Sequence, residues 1–251
     1  MPRQGGSIVT LVEPARGRGL AIWAQIAEIL QDEITRGVVK PGEQLPPEAV
    51  LAARFRVNRH TLRRAVAALQ EAGVVRVEQG RGTFVAEDVI DYALGQRIRL
   101  TENLRKLDRT PGSTFLRGVE LPAPARIARA LAMRAGKPVI LLETLSFADG
   151  RPMSVGAHYF PKARFDGIIE DYRRVGSITK ALAERGIDDY FRKVTRITAQ
   201  MPDAADARLL QQARNQPILV TEAVNVDIAG TPIEFGHSRF SGPRVQFTVE
   251  N

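Results

Sequence analysis

Residues 42–85 place a helix entry, a capped amphipathic helix, a glycine stop and a glycine-flanked hairpin in one fixed order. Few folds accept that order. Pro46-Pro47 opens a helix at a position where a missing N–H is harmless. Asn58 stands where a helix N-cap belongs, its side chain able to accept a backbone N–H. Behind it Leu62, Val66 and Leu69 recur at i, i+4 and i+7 and make one apolar face. Gly73 ends that helix. Val74–Val77 and Thr83–Val85 then read as two short strands around Gln79-Gly80-Arg81-Gly82, a tight turn with arginine at its tip. The spacing predicts a helix-turn-helix with a wing.

Charge follows the same plan. No acidic residue lies between Glu48 and Glu71, yet Arg54, Arg56, Arg59, Arg63 and Arg64 do. A positive stretch without compensating acids suits a polyanion such as duplex DNA. Projected at about 100° per residue, His60, Arg63 and Arg64 point away from the apolar face, with Arg59 and Thr61 on its flanks. Such a helix suits the major groove, where arginine grips guanine through two hydrogen bonds. The DNA-contact candidates are Asn58, Arg59, His60, Thr61, Arg63, Arg64, Gly80 and Arg81. A basic face that is merely solvated is the competing explanation. It accounts for the charges but not for the ordered cap, stop and wing.

At these residues the chain resembles the winged helix-turn-helix of the GntR family of bacterial transcription factors. That resemblance implies DNA contact at Arg59, His60, Thr61, Arg63 and Gly80. The family's usual Leu-Pro-Ser-Glu-Arg is here Leu45-Pro46-Pro47-Glu48-Ala49. The arginine that normally touches the operator is thus replaced by Ala49.

The 251 residues allow one large domain or two modest ones. Net charge is +8, shared between residues 1–86 (twelve Lys/Arg against eight Asp/Glu) and a remainder twice as long (twenty-four against twenty). The absence of cysteine excludes disulfides, thiolate catalysis and cysteine-bound metal. No apolar run approaches the ~18 residues of a membrane span, and Met1 to Gly19 lacks a signal-peptide core. A soluble cytoplasmic protein is expected. Ile22, Ile26, Ile29 and Ile34 begin an amphipathic helix running to about Arg36, with Trp23 as a packing residue. The expected organisation is a disordered tail (1–19), the DNA-binding domain (20–86), a linker (87–95) and a second domain (96–251).

That second domain contains a repeat. Pro138-Val139-Ile140-Leu141-Leu142-Glu143 is echoed by Pro217-Ile218-Leu219-Val220-Thr221-Glu222. Gly150-Arg151-Pro152-Met153 is echoed by Gly230-Thr231-Pro232-Ile233, with Gly156 matched by Gly236 and Phe160 by Phe240. A helical stretch precedes each copy (Ala125 to Met133; Ala204 to Gln212). Each unit therefore reads as helix, strand, hairpin, strand, and two such units pair into one antiparallel sheet. The fold class expected is mixed α/β in two domains, the second an α+β antiparallel-sheet domain.

No catalytic arrangement is visible there. His158 and His237 occupy near-equivalent strands, and without a third ligand they make a weak case for metal. Gly80-Arg81-Gly82 lacks the spacing and lysine of a phosphate loop. Ser177 precedes an expected helix, Ile178 to Arg185, where free N–H groups can meet an anion or Ser177 can serve as a plain N-cap.

Residues 92–251 resemble the UTRA effector domain of the HutC subfamily, whose fold is chorismate-lyase-like, and within it the PhnF group of phosphonate-metabolism regulators. The stretches that carry this are Val57 to Val66, Arg97 to Leu104, Gly176 to Thr179, Asp189 to Arg192 with Thr195 to Ala199, and Arg244 to Glu250. Where sugar-phosphate-binding members carry arginines, this chain has Glu143-Thr144-Leu145-Ser146, and Gly156 stands where a glutamate often reads the sugar. Arg97, Arg99, Ser177 and Arg192 remain as the anion grip, and the resemblance adds Thr179, Tyr190, His158 and Glu234 to the effector-binding set.

The resemblance implies a homodimeric regulator, a repressor, that binds a palindromic operator in double-stranded DNA. It would answer to a small anionic effector, a phosphonate or phosphate compound, without cofactor, metal or membrane. Regulation of another pathway (sugar phosphate or amino-acid catabolism), a lyase-like enzyme and a ligand-free architectural DNA binder are the alternatives. Fold alone does not license the enzyme.

Overall fold

The computed structural model describes residues 19–86, 89–95 and 100–249. The chain divides into two compact units between Asp88 and Val89.

In the first unit, helices α1 (Ile22–Thr35), α2 (Glu48–Phe55) and α3 (Arg59–Glu71) precede a hairpin of β1 (Val75–Glu78) and β2 (Gly82–Val85). One face of each helix meets a common core of Ile26, Leu30, Leu45, Leu51, Phe55, Leu62, Ala65, Leu69, Val75 and Val85. Arg56, in the left-handed conformation at φ 52°, closes α2 and turns the chain toward α3. The expected winged helix-turn-helix is formed. Trp23 packs against the core.

The second unit contains, in chain order, β3 (Ile90–Ala93), α4 (Leu100–Lys106), β4 (Pro111–Pro122), α5 (Ala125–Ala130), β5 (Pro138–Ala148), β6 (Arg151–Pro161), α6 (Lys162–Phe165), α7 (Ile168–Val175) and α8 (Ile178–Ala183). Then come β7 (Tyr190–Gln200), α9 (Ala204–Leu209), β8 (Ile218–Asp227), β9 (Pro232–Ser241) and β10 (Val245–Thr248). Six strands form an antiparallel sheet in the order β4-β5-β6-β9-β8-β7. The hairpins read from the repeat are β5–β6 and β8–β9, and β6 and β9 meet at the centre. Asp149 and Gly150, both at positive φ, make the two-residue turn that suits the twist of the first hairpin.

The duplication extends further than the sequence suggested. Each copy also owns an edge strand, β4 or β7, ahead of its helix. One register row crosses all six strands as Arg117, Glu143, Ala157, His237, Glu222 and Arg196, so arginine and glutamate recur at mirrored places. Helices α5 and α9 are shorter than the stretches expected from sequence.

Side chains of the sheet alternate between two faces. On one, Ile140, Leu142, Phe160 and Ile233 pack against Phe165, Ile168, Tyr172 and Leu182 of the α6–α8 layer. On the other, Val139, Val224 and Phe235 pack against Ile127 and Ala128 of α5. The linker expected over 87–95 is shorter than its spacing implied. Residues 90–93 form β3, paired in parallel with β10, because Ile90 and Tyr92 are buried with Phe240 and Val245. Arg97 and Arg99 lie outside the described residues.

Candidate nucleic-acid interface and effector cavity

Helix α3 turns its apolar side, Leu62, Ala65, Val66 and Leu69, to the core. Its N-terminus is fixed by Asn58, whose Oδ1 accepts the Thr61 N–H at 2.8 Å. Asn58 is therefore the cap of the helix. Arg59, His60 and Arg63 are exposed on the side away from the core, with Thr61 half-buried.

The arginines that looked alike in sequence separate into different jobs. Arg54 pairs with Glu33 and lies over the Phe55 ring. Arg64 lies over Trp23, its guanidinium carbon 4.6 Å from the ring centroid. Arg63 donates through Nε to both carboxylate oxygens of Glu48 at 3.1 Å. In the wing, Arg81 pairs with Glu78, and Gly80 takes φ 74° at the turn. The Gln44 amide donates to the Arg81 carbonyl at 2.6 Å and buttresses the turn.

In the second unit, the sheet face that carries α6–α8 opens into a cavity of about 450 Å³. This falls within the usual range for a small-molecule site, roughly 300–1,000 Å³. Four short rows of side chains make its floor. Ser146 faces Ser154, and Thr144, Gly156, Ser238 and Thr221 follow in register across β5, β6, β9 and β8. Next come His158, Gly236 and Ala223, and then Glu234, Asn225 and Arg192. Glycine and alanine in the middle rows leave the depression. A Cβ built on Gly156 would stand 2.5 Å from His158 Nε2.

His158 Nδ1 lies 2.5 Å from Glu234 Oε1, and the Asn225 amide donates to Glu234 Oε2 at 2.7 Å. Burial pushes the Glu234 carboxyl up, but hydrogen bonds from His158 and Asn225 and the charges of His158 and Arg192 outweigh it and hold it below the usual carboxylate range. Glu234 is thus an anion, and His158 directs Nδ1–H at it. Nε2 remains toward the cavity, 3.4 Å from Thr144 Oγ1.

Arg192 differs from the paired arginines of this unit. Arg109, Arg117, Arg126, Arg164, Arg174, Arg185 and Arg239 pair with carboxylates. Arg244 donates to the carbonyls of Pro152, Leu210 and Gln211. Arg192 forms no ion pair with a described residue, and its Nε is buried without a hydrogen-bond partner among them. The buried Tyr92 hydroxyl accepts a hydrogen bond from its guanidinium, and burial pushes the Tyr92 phenol up.

Of the effector candidates, His158, Ser177, Thr179, Tyr190, Arg192 and Glu234 line this one cavity. Thr179 Oγ1 and Tyr190 Oη are bonded to each other at 2.9 Å. Ser177 accepts the Lys180 N–H at 3.4 Å and caps α8, which has six residues. Sequence reasoning missed Thr144, Ser146, Ser154, Thr221 and Ser238, because alternating hydroxyls in a strand look like a solvent face. It also missed Asn225 and Tyr92, whose strand partners are set by tertiary pairing. Among the described residues no group of three His, Cys, Asp or Glu can hold a metal, and no helix is long and apolar enough to cross a membrane.

Known proteins agree with this division. Residues 23–85 match the profile of bacterial regulatory proteins, gntR family, and residues 106–246 match the UTRA domain. An uncharacterized HTH-type transcriptional regulator of Rhizobium meliloti is 40% identical over 94% of this chain and 97% of its own. The probable transcriptional regulator PhnF of Escherichia coli is 34% identical over 91% of this chain and 95% of its own. The HTH-type transcriptional repressor PhnF of Mycolicibacterium smegmatis is 30% identical over 88% and 91%. The crystal structure of PhnF from Mycobacterium smegmatis superimposes with a TM-score of 0.63 at 29% identity, covering 90% of this chain and 98% of that one. The chain belongs to the GntR family of DNA-binding transcriptional regulators, in the UTRA-bearing HutC/PhnF group.

Proposed function

We propose that this GntR-family regulator is a homodimeric, cytoplasmic repressor of phosphonate-metabolism genes, controlled by a small anion that carries a phosphonate or phosphate group. Two copies place two α3 helices on the half-sites of a palindromic operator about one or more helical turns apart. The observation that carries the effector is Arg192. A buried guanidinium N–H without an acceptor is unfavourable, and an oxyanion entering the cavity satisfies it with a charge-assisted bond. Lys180 and Arg105 also line the cavity without a carboxylate partner among the described residues, against Glu102 and Glu234. Excess positive charge favours an anion. The Mycolicibacterium smegmatis relative is named a transcriptional repressor, which supports repression, and the resemblance to the PhnF group of phosphonate-metabolism regulators supports that pathway. Linkage then requires that operator and effector weaken each other's binding by the same factor.

One observation favours a second reading, in which the ligand is a sugar phosphate. The floor carries five hydroxyl side chains, Thr144, Ser146, Ser154, Thr221 and Ser238, which suit a hydroxylated ligand body. Titration calorimetry with inorganic phosphate, methylphosphonate, 2-aminoethylphosphonate and hexose phosphates separates the two. The phosphonate reading expects binding of a phosphonate by the parent and at least a tenfold loss in Arg192→Ala. Binding of hexose phosphates alone selects the second reading, and an Arg192→Ala protein that binds as tightly as the parent overturns the anion site.

A further inference from the structure

We propose that Glu48 is a specificity-positioning residue, a clamp that holds Arg63 in the orientation in which its outer edge reads a guanine. This rests on the reading that Arg63 meets a base. The contact engages one atom of the guanidinium: Nε donates to both oxygens of Glu48 at 3.1 Å. Nη1 and Nη2, the two groups that form a parallel pair of bonds to guanine O6 and N7, have no partner among the described residues. A clamp through Nη would have consumed the reading edge. A clamp through Nε leaves it whole and fixes its direction.

Both partners stand on packed elements. Glu48 is the first residue of α2, and Arg63 lies one turn into α3. Leu51, Ala52 and Phe55 of α2 share a buried core with Leu62 and Val66 of α3, so the spacing of the two side chains is set by that core.

Stability does not account for the pair. The Arg63 side chain is 67% exposed and that of Glu48 43%, and exposed ion pairs contribute little to folding. Nor does raw DNA affinity, because a carboxylate beside phosphates repels them. Glu48 is the last acid before a run of twenty-two residues without one. A charge that weakens general binding and adds little stability has one physical use left at this place. It orders a flexible arginine before the DNA arrives, so less rotamer freedom is lost on binding the right base.

The test uses the full-length protein, a duplex it selects from a random-sequence pool, and a mixed-sequence duplex. Removing N7 from one guanine at a time, by 7-deazaguanine substitution, reports the two-bond contact directly. The parent should lose about 5- to 100-fold at one guanine of each half-site, and Arg63→Ala should be insensitive there. Glu48→Ala should lower affinity for the selected duplex and shrink the 7-deazaguanine penalty, while affinity for mixed-sequence DNA stays equal or rises. Glu48→Gln, which keeps an acceptor for Nε, should fall between. In the Arg63→Ala background Glu48→Ala should produce no further loss of discrimination. A Glu48→Ala protein that keeps the parent's penalty and selectivity overturns the clamp, as does an equal loss on both duplexes. If Arg63→Ala itself loses equally on both duplexes and no guanine is N7-sensitive, the reading of Arg63 fails first and takes the clamp with it.

Discussion

The imidazole of His158 on β6 and the carboxylate of Glu234 on β9 are joined across the centre of the sheet, Nδ1 to Oε1 at 2.5 Å, on the floor of the cavity. Glu234 is buried, and His158 with Asn225 compensates its charge. Its carboxyl is held below the usual 4.5, so the stability it contributes is complete above that value. It is lost as pH falls through the depressed folded value. Glu234→Gln removes this dependence and disturbs two hydrogen bonds. At neutral pH the variant should be less stable by about 1–3 kcal/mol. On acidification the gap in melting temperature should narrow, as measured by calorimetry from neutral to acid pH. Parallel curves would show that the carboxylate is not linked to folding.

Gly156 and Gly236 hold equivalent places in the two repeats but have different surroundings. A methyl at position 156 would meet His158 Nε2 at 2.5 Å and Thr144 Oγ1 at 3.1 Å; at position 236 the nearest atom is Glu234 Oε1 at 3.6 Å, an ordinary contact. Gly156→Ala should therefore destabilise by about 1–3 kcal/mol, because the ring fixed by Glu234 must move. Gly236→Ala should be neutral or stabilising by up to about 1 kcal/mol through a less flexible unfolded chain. Urea unfolding of both variants decides it. A similar effect at the two positions would show that the His158 ring is not fixed.

How much of this was legible in the sequence differs by element. Helix α3 was read correctly because its cap, its apolar period and its stop are all local, and Asn58 caps as its position implied. The two hairpins were legible because duplication repeats them. Strand β3 was not, because four residues paired in parallel with β10, some 155 positions later, leave no local pattern. Arg54 was counted in the basic stretch and Arg64 among the DNA-contact candidates because sequence shows charge but not partners. Those partners, Glu33 and Trp23, are on α1. Of the cavity, the charged corner could be named, while the hydroxyl rows resembled an ordinary exposed strand face.

The stacking of Arg64 on Trp23 gives the helix face two kinds of arginine that experiment can separate. Arg64→Ala should destabilise the first unit by about 0.5–1 kcal/mol and change the emission of Trp23, the chain's one tryptophan. It should leave the ratio of selected to mixed-sequence DNA affinity unchanged. Arg63→Ala should do the reverse, with Trp23 emission unaltered. A loss of sequence discrimination in Arg64→Ala would place that guanidinium on a base instead.

The wing depends on Gly82, whose φ of 119° excludes ordinary side chains and whose Cβ, if built, would stand 2.4 Å from the Gln44 amide nitrogen. That same nitrogen donates to the Arg81 carbonyl and holds the turn. Gly82→Ala therefore meets backbone strain and a collision at once, of order 1–3 kcal/mol. Relief of either moves the tip that carries Arg81. If Arg81 neutralises a phosphate, its loss removes about one released counterion from the salt dependence of binding. Arg81→Ala and Gly82→Ala should then flatten the slope of log affinity against log salt by similar amounts, on selected and mixed-sequence DNA alike. The double variant should flatten it no further. A Gly82→Ala protein with the parent's slope would show that the wing tip makes no phosphate contact.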